Sequence, residues 1–196
     1  MVLELPELVV SDAAAWRSWL EENHGASSGI RLVLHKKGGK VTALTHDDAL
    51  DEALCFGWID GQVGSRDEGS FHQRFTPRRR RSIWSLRNVS HVERLESEGR
   101  MHDAGRAAVR AAKQDGRWAT AYPGQASADM PPDLADAIAR VPAAQAMFDV
   151  LTSQNRYALV FRLSQLKEGT ARRKKIAGFV EMLARHDSSH PQRRKP

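Results

Sequence analysis

The sequence predicts an α+β fold, with a small N-terminal antiparallel or mixed sheet flanked by helices and an all-helical C-terminal module behind it. Three observations carry that prediction. Apolar residues alternating with a period of two, the signature of a half-buried strand, occur only upstream of Pro77. Helical spacing takes over from Val89 onward. Between Tyr122 and Pro132 the chain is punctuated by Pro, Gly and Ser and carries no periodic apolar pattern, as a linker does. The expected organisation is an α+β domain over residues 1–124, a linker over 125–131, a helical module over 132–185 and a polar, frayed basic tail over 186–196.

Ser11 is the expected N-cap of a first helix whose Trp16, Trp19 and Leu20 stand at i, i+3 and i+4 and face the core; Asn23, His24 and Gly25 stop it. Ile30, Leu32 and Leu34 alternate with Arg31, Val33 and His35 in a strand that turns at Gly38 and Gly39. Thr45 followed by Asp48 is an acidic variant of the capping box, and it opens a helix with Ala49, Leu50, Ala53 and Leu54 on one face, ended by Gly57. Residues 58–63 and 71–76 form a hairpin around Arg66, Asp67, Glu68 and Gly69. Its Phe71, Gln73 and Phe75 share one face, and His72, Arg74 and Thr76 share the other. The sheet is expected to hold three to five strands.

Helices then follow around Val89, Val92 and Leu95, ended by Gly99, and over residues 104–112, ended by Gly116. Beyond the linker come helical patterns at Leu134, Ile138 and Val141, at Met147, Val150 and Leu151 after Pro142, and at Tyr157, Val160, Phe161 and Leu163 after a Ser153 cap. Ile176, Phe179, Val180 and Leu183 make a last amphipathic stripe.

A composition of 41% hydrophobic and 28% charged residues is that of a folded globular chain. No run approaches the roughly 18 apolar residues of a spanning helix. Glu4 and Glu7 stand where a secretory signal needs cations, so the expectation is a cytoplasmic protein without a transmembrane segment. The single cysteine, Cys55, sits between Leu54 and Phe56 and reads as a buried thiol. The net charge of +6 is concentrated: residues 66–87 hold seven basic residues against two acidic, and residues 162–196 hold ten against three.

The first of these stretches carries the candidate site. Arg78, Arg79, Arg80 and Arg81 lie between Pro77 and Ser82-Ile83-Trp84-Ser85, so guanidinium forks, hydroxyls and an aromatic face fall within eight residues. The expected ligand-binding set is Arg74, Arg78, Ser82, Trp84, Ser85 and Asn88 around Trp58 and Asp60. In the competing reading the arginines form a solvated turn, the aromatics are core and Asp60 is an internal partner. Arg172 and Arg173 make a second candidate, because cations in the opening turn of a helix oppose its dipole. Either a bound anion or a nearby Asp133 or Asp136 would offset them. The expected partner is an anionic small molecule or a polyanion, nucleic acid included. An enzyme using Asp60 or His72 as general acid or base stays open. Eight histidines show no metal spacing, and neither a metal nor a cofactor is expected. Gly25-Ala26-Ser27-Ser28-Gly29 fits the pattern of a hydrolase nucleophile elbow, but it runs from helix to strand and reads as a loop.

Several segments together resemble a known family. They are Gly57-Trp58-Ile59-Asp60-Gly61, Arg74-Phe75-Thr76-Pro77-Arg78, Ser82-Ile83-Trp84-Ser85 with Asn88, Gly116-Arg117-Trp118 with Ala121-Tyr122, and residues 170–176. The pattern is similar to that of the YdeI/OmpD-associated, or bacteriocin-protection, family over residues 16–183. The resemblance implies a helical C-terminal module and a link to envelope stress and resistance to cationic antimicrobial peptides, and it implies no particular reaction.

Overall fold

The computed structural model describes residues 5–124 and 128–196, so Met1 to Glu4 and part of the expected linker, residues 125–127, lie outside the described residues. The fold is α+β, in two compact units, Met1–Ala121 and Tyr122–Pro196.

The first unit is built on a four-stranded mixed sheet of order β1-β2-β4-β3. β1 (Glu7–Leu8) runs parallel to β2 (Ile30–His35), while β4 (Ser70–Pro77) pairs antiparallel with both β2 and β3 (Trp58–Ser65). The alternation read from the sequence sets the register: Ile30 faces Phe75, Leu32 faces Gln73 and Leu34 faces Phe71. The β3–β4 ladder shifts between Asp60 and Val63. That bulge frees the carbonyl of Gly61, and the buried Gln73 side chain donates to it at 2.8 Å. An amide can therefore stand among phenylalanines without an unmet hydrogen bond.

α1 (Ala13–Asn23) is capped by Asp12, one residue after the expected Ser11, whose hydroxyl instead donates to Asp12. α2 (His46–Cys55) starts on Thr45 as expected, with the Asp48 amide donating to the threonine hydroxyl at 3.2 Å. From Ala49 to Cys55 every residue of α2 is buried, so this helix is the centre of the unit rather than a half-exposed flank. Gly57 ends it at φ 73°, a left-handed conformation that disfavours a side chain. α3 (Leu86–Ser97) and α4 (Asp103–Gln114) complete the unit. Gly105 lies so close to the carbonyl of Cys55 that a Cβ there would collide with it, which brings α4 backbone against α2. The core gathers Trp16, Leu20, Ile30, Leu54, Trp58, Phe75, Trp84 and Leu95.

The second unit holds α5 (Pro132–Ala139), α6 (Pro142–Asp149), α7 (Ser153–Ser164) and α8 (Thr170–Ala184). Leu134, Ile138, Met147, Leu159, Leu163, Phe179 and Leu183 form its core. Thr152, not Ser153, caps α7. The tail expected to fray is pinned: buried Asn155 donates to the carbonyl of His190 and to Gln192, and accepts from the His190 amide. Polar composition alone cannot reveal such a long-range clasp. No helix among the described residues is long and apolar enough to cross a membrane.

Candidate functional site

The arginine tract forms a tied-down turn. The Ser82 amide donates to the Arg79 carbonyl at 2.9 Å, and the Arg79 amide donates to the Ser82 hydroxyl at 2.9 Å, which places Arg80 and Arg81 at the tip. Two further bonds hold the turn from outside. Arg78 donates to the carbonyl of Ile83 at 3.1 Å, and Arg117, beyond α4, donates to the carbonyl of Ser82 at 2.7 Å. The backbone amide of Arg78 is itself fixed to the carbonyl of Gly57.

Within this frame the four arginines divide. Arg78 turns inward, its guanidinium 3.5 Å from the centre of the Trp84 ring. Trp84 is 1% exposed and packs against Trp118 at 4.9 Å. The pair is a covered cation–π stack and offers no open aromatic face. Arg79, Arg80 and Arg81 are exposed, and among the described residues their side chains form no ion pair. Arg80 does add a weak pull on Asp115, whose carboxyl is held below its usual range chiefly by its hydrogen bonds with Arg117. Elsewhere in the unit, Arg17, Arg66, Arg87, Arg94, Arg100, Arg106 and Arg117 all face acids. Arg74 and Arg110 of this unit also form no ion pair among the described residues, but each stands alone in sequence, so the turn is set apart by three such arginines in a row.

The remaining expected residues are placed as follows. Ser82 serves the turn, and the Ser85 hydroxyl caps α3 by accepting from the amide of Asn88, itself buried. The Trp58 indole is 1% exposed, lies edge-on to Trp16 and Trp19, and donates to the carbonyl of His24. Asp60 faces His46 at 3.5 Å, and that carboxylate raises the imidazole pKa against the opposing effect of burial. Arg74 pairs across the sheet with Arg31 and lays its methylenes along Gly61. His72 is hydrogen-bonded to Glu7. Of the expected residues, Arg78 contacts Trp84, Ser85 contacts Asn88 and Ser82 bonds within the turn, while the Trp58, Asp60 and Arg74 side chains lie against other partners.

At the second basic stretch, Arg172 forms a two-pronged pair with Asp133 at 2.7 and 2.9 Å and donates to the carbonyls of Leu163 and Leu166. Asp133 is the internal acid weighed as the alternative to a bound anion there. Arg173 donates to the Thr170 hydroxyl.

One polar centre escaped the sequence reading. Glu52, 5% exposed, bridges Arg17 at 2.8 Å and Arg100 at 2.6 Å. Beside it buried Asp51 takes His91 and Arg94, and these partners outweigh burial and lower its carboxyl pKa. Cys55 lies in this cluster, and burial, reinforced by Glu52, pushes its thiol up to about 11. A thiol so protonated and enclosed is a packing group rather than a nucleophile. The sequence carries no signal for it, since Asp47, Asp48, Asp51 and Glu52 make an acidic face opposite Ala49, Leu50, Ala53 and Leu54, the pattern of an exposed helix side.

A groove of about 570 Å³ between α3 and α4, floored by Val92, Val109 and Trp118, contains none of the expected site residues. Among the described residues no group of three or more His, Cys, Asp or Glu is arranged to hold a metal ion.

A family model described as a domain of unknown function (DUF8412) matches residues 8–108, more than half the chain. The chain belongs to that family. In this DUF8412 member, residues 127–186 match a second model, described as "Bacteriocin-protection, YdeI or OmpD-Associated", which supports the resemblance drawn from sequence. The motifs from Gly57 to Asn88 fall inside the DUF8412 match, and residues 170–176 fall inside the second. No curated protein and no solved structure matches the chain.

Proposed function

We propose that the first unit binds an extended anionic surface through Arg79, Arg80 and Arg81. The observation that carries this reading is the pairing pattern: three adjacent exposed arginines without an ion pair among the described residues, in a unit where seven others face acids. Holding three like charges together costs free energy that an opposing charge recovers. The turn is held by the Ser82 and Arg79 amide bonds, so little backbone entropy is lost on docking. Its position outside the α3–α4 groove favours a surface over an enclosed small molecule. The bacteriocin-protection description attaches to residues 127–186 and supports a role of the chain in envelope stress or antimicrobial-peptide resistance; the arginine turn lies outside that match.

The test replaces Arg79, Arg80 and Arg81 with Gln and follows binding of fluorescent heparin over a salt series. The wild type binds at low salt and releases as salt rises, because binding releases counterions. The variant should lose at least about tenfold in affinity with its thermal midpoint held within about 2 °C, since exposed unpaired side chains contribute little to stability. Equal heparin affinity in wild type and variant would overturn the proposal.

A further inference from the structure

We propose that the anionic surface is the headgroup layer of a lipid bilayer, into which Ile83 and Leu86 insert while Arg79, Arg80 and Arg81 engage the phosphates. This inference rests on the anion-binding reading of the same turn.

Two observations select lipid over single-stranded nucleic acid. A single-stranded nucleic acid is held by aromatic faces on which bases stack. Here Trp84 is 1% exposed and covered by Arg78, and Trp58 and Phe75 are equally buried, so the tract offers no stacking platform. What it does expose is aliphatic. Ile83 is 40% exposed and Leu86, the first residue of α3, 51% exposed, directly after the three arginines. Exposed aliphatic side chains beside a cluster of arginines match the boundary between acyl chains and anionic headgroups, where apolar burial and charge attraction add. The turn is closed at Arg79–Ser82 and anchored by Arg117, Ile83 follows it directly, and Leu86 opens the helix capped by Ser85, so charged and aliphatic side chains lie within eight residues of one another in the chain.

The experiment measures co-sedimentation of the full chain with phosphatidylglycerol–phosphatidylcholine vesicles and with pure phosphatidylcholine vesicles, alongside heparin and a single-stranded oligonucleotide. It compares the wild type with Ile83→Ser/Leu86→Ser and with the Arg79, Arg80 and Arg81→Gln variant. The wild type should bind the anionic vesicles and not the neutral ones. The Ser variant should lose at least about tenfold in vesicle affinity, given that the side chains bury only their exposed halves, and keep heparin affinity. The Gln variant should lose about a hundredfold toward vesicles, at about fivefold per arginine, and lose heparin as well. Heparin binding without vesicle binding, or vesicle binding undiminished in the Ser variant, overturns the lipid inference and leaves the anion reading standing. An oligonucleotide bound more tightly than vesicles, and equally by the Ser variant, assigns the turn to nucleic acid. Binding to none of these probes overturns both. Tryptophan fluorescence melting confirms that each variant is folded.

Discussion

Replacing Arg78 with Ala separates the scaffold of the turn from its contact surface. Arg78 spans the Trp84 ring at 3.5 Å and donates to the carbonyl of Ile83 at 3.1 Å. A desolvated cation–π contact on Trp is worth about 2 kcal/mol and the hydrogen bond about 1 kcal/mol, so the loss should be about 3 kcal/mol, within a range of about 2–4. With an unfolding entropy of about 2.1 cal/mol/K per residue, the unit Met1–Ala121 loses about 4 °C for each kcal/mol. A fall of about 8–16 °C in midpoint follows. Tryptophan fluorescence is the assay of choice, because all five tryptophans, at positions 16, 19, 58, 84 and 118, belong to this unit. Below its lowered midpoint the variant should retain most of its heparin affinity, since Arg79, Arg80 and Arg81 remain. A midpoint within about 2 °C of wild type combined with a tenfold loss of heparin binding would refute the reasoning and make Arg78 itself the anion contact.

Three further outcomes check the electrostatics. Glu52→Gln should destabilise the first unit by about 2–3 kcal/mol, below the cost of breaking a fully buried pair because both arginines are about one-third exposed; urea unfolding showing under about 1 kcal/mol would mean the bridge is dispensable. Asp60 raises the His46 pKa, so their pair contributes below the unfolded value of about 6.5 and its contribution vanishes as pH rises through the folded one. Asp60→Asn should therefore cost up to about 1 kcal/mol near pH 5.5 and nothing near pH 9, and an equal loss at both pH values would point to packing instead. Arg172→Glu should destabilise the second unit by more than about 1 kcal/mol by opposing Asp133 and releasing the Leu163 and Leu166 carbonyls; faster hydrogen exchange in α5 to α8 is the readout, and unchanged exchange would restore Arg172 as an anion-site candidate.

The elements that local chemistry defines were legible in the sequence. Alternation gave β2 and both faces of β4, and Thr45 with Asp48 gave the start of α2. Caps slipped by one residue where two hydroxyl or carboxyl side chains stand adjacent, as at Ser11-Asp12 and Thr152-Ser153. β1 was invisible, because two residues carry no period. The ion pairs of Glu52, Asp51 and Asp133 join positions 35 to 48 residues apart, and no local pattern encodes such a partner. At the tract, sequence supplied the charge but not its division. Which arginine stacks inward and which three face solvent depends on where Trp84 packs.

The bulge between Asp60 and Val63 also bears on how the molecule behaves among copies of itself. Among the described residues β3 is the outer strand of the sheet, with one side unpaired within it, and its exposed Val63 would suit a neighbouring strand. A regular edge of this kind is a template for adding foreign strands, and irregularity is how such growth is stopped. Because the extra residue breaks the even spacing of donors and acceptors, an approaching chain finds only short runs in register. Removing Gln62 would straighten the strand and leave Gln73 without its acceptor at Gly61. The expected result is a chain that still folds at low concentration but scatters light as concentration rises, so this single irregular residue contributes to colloidal solubility.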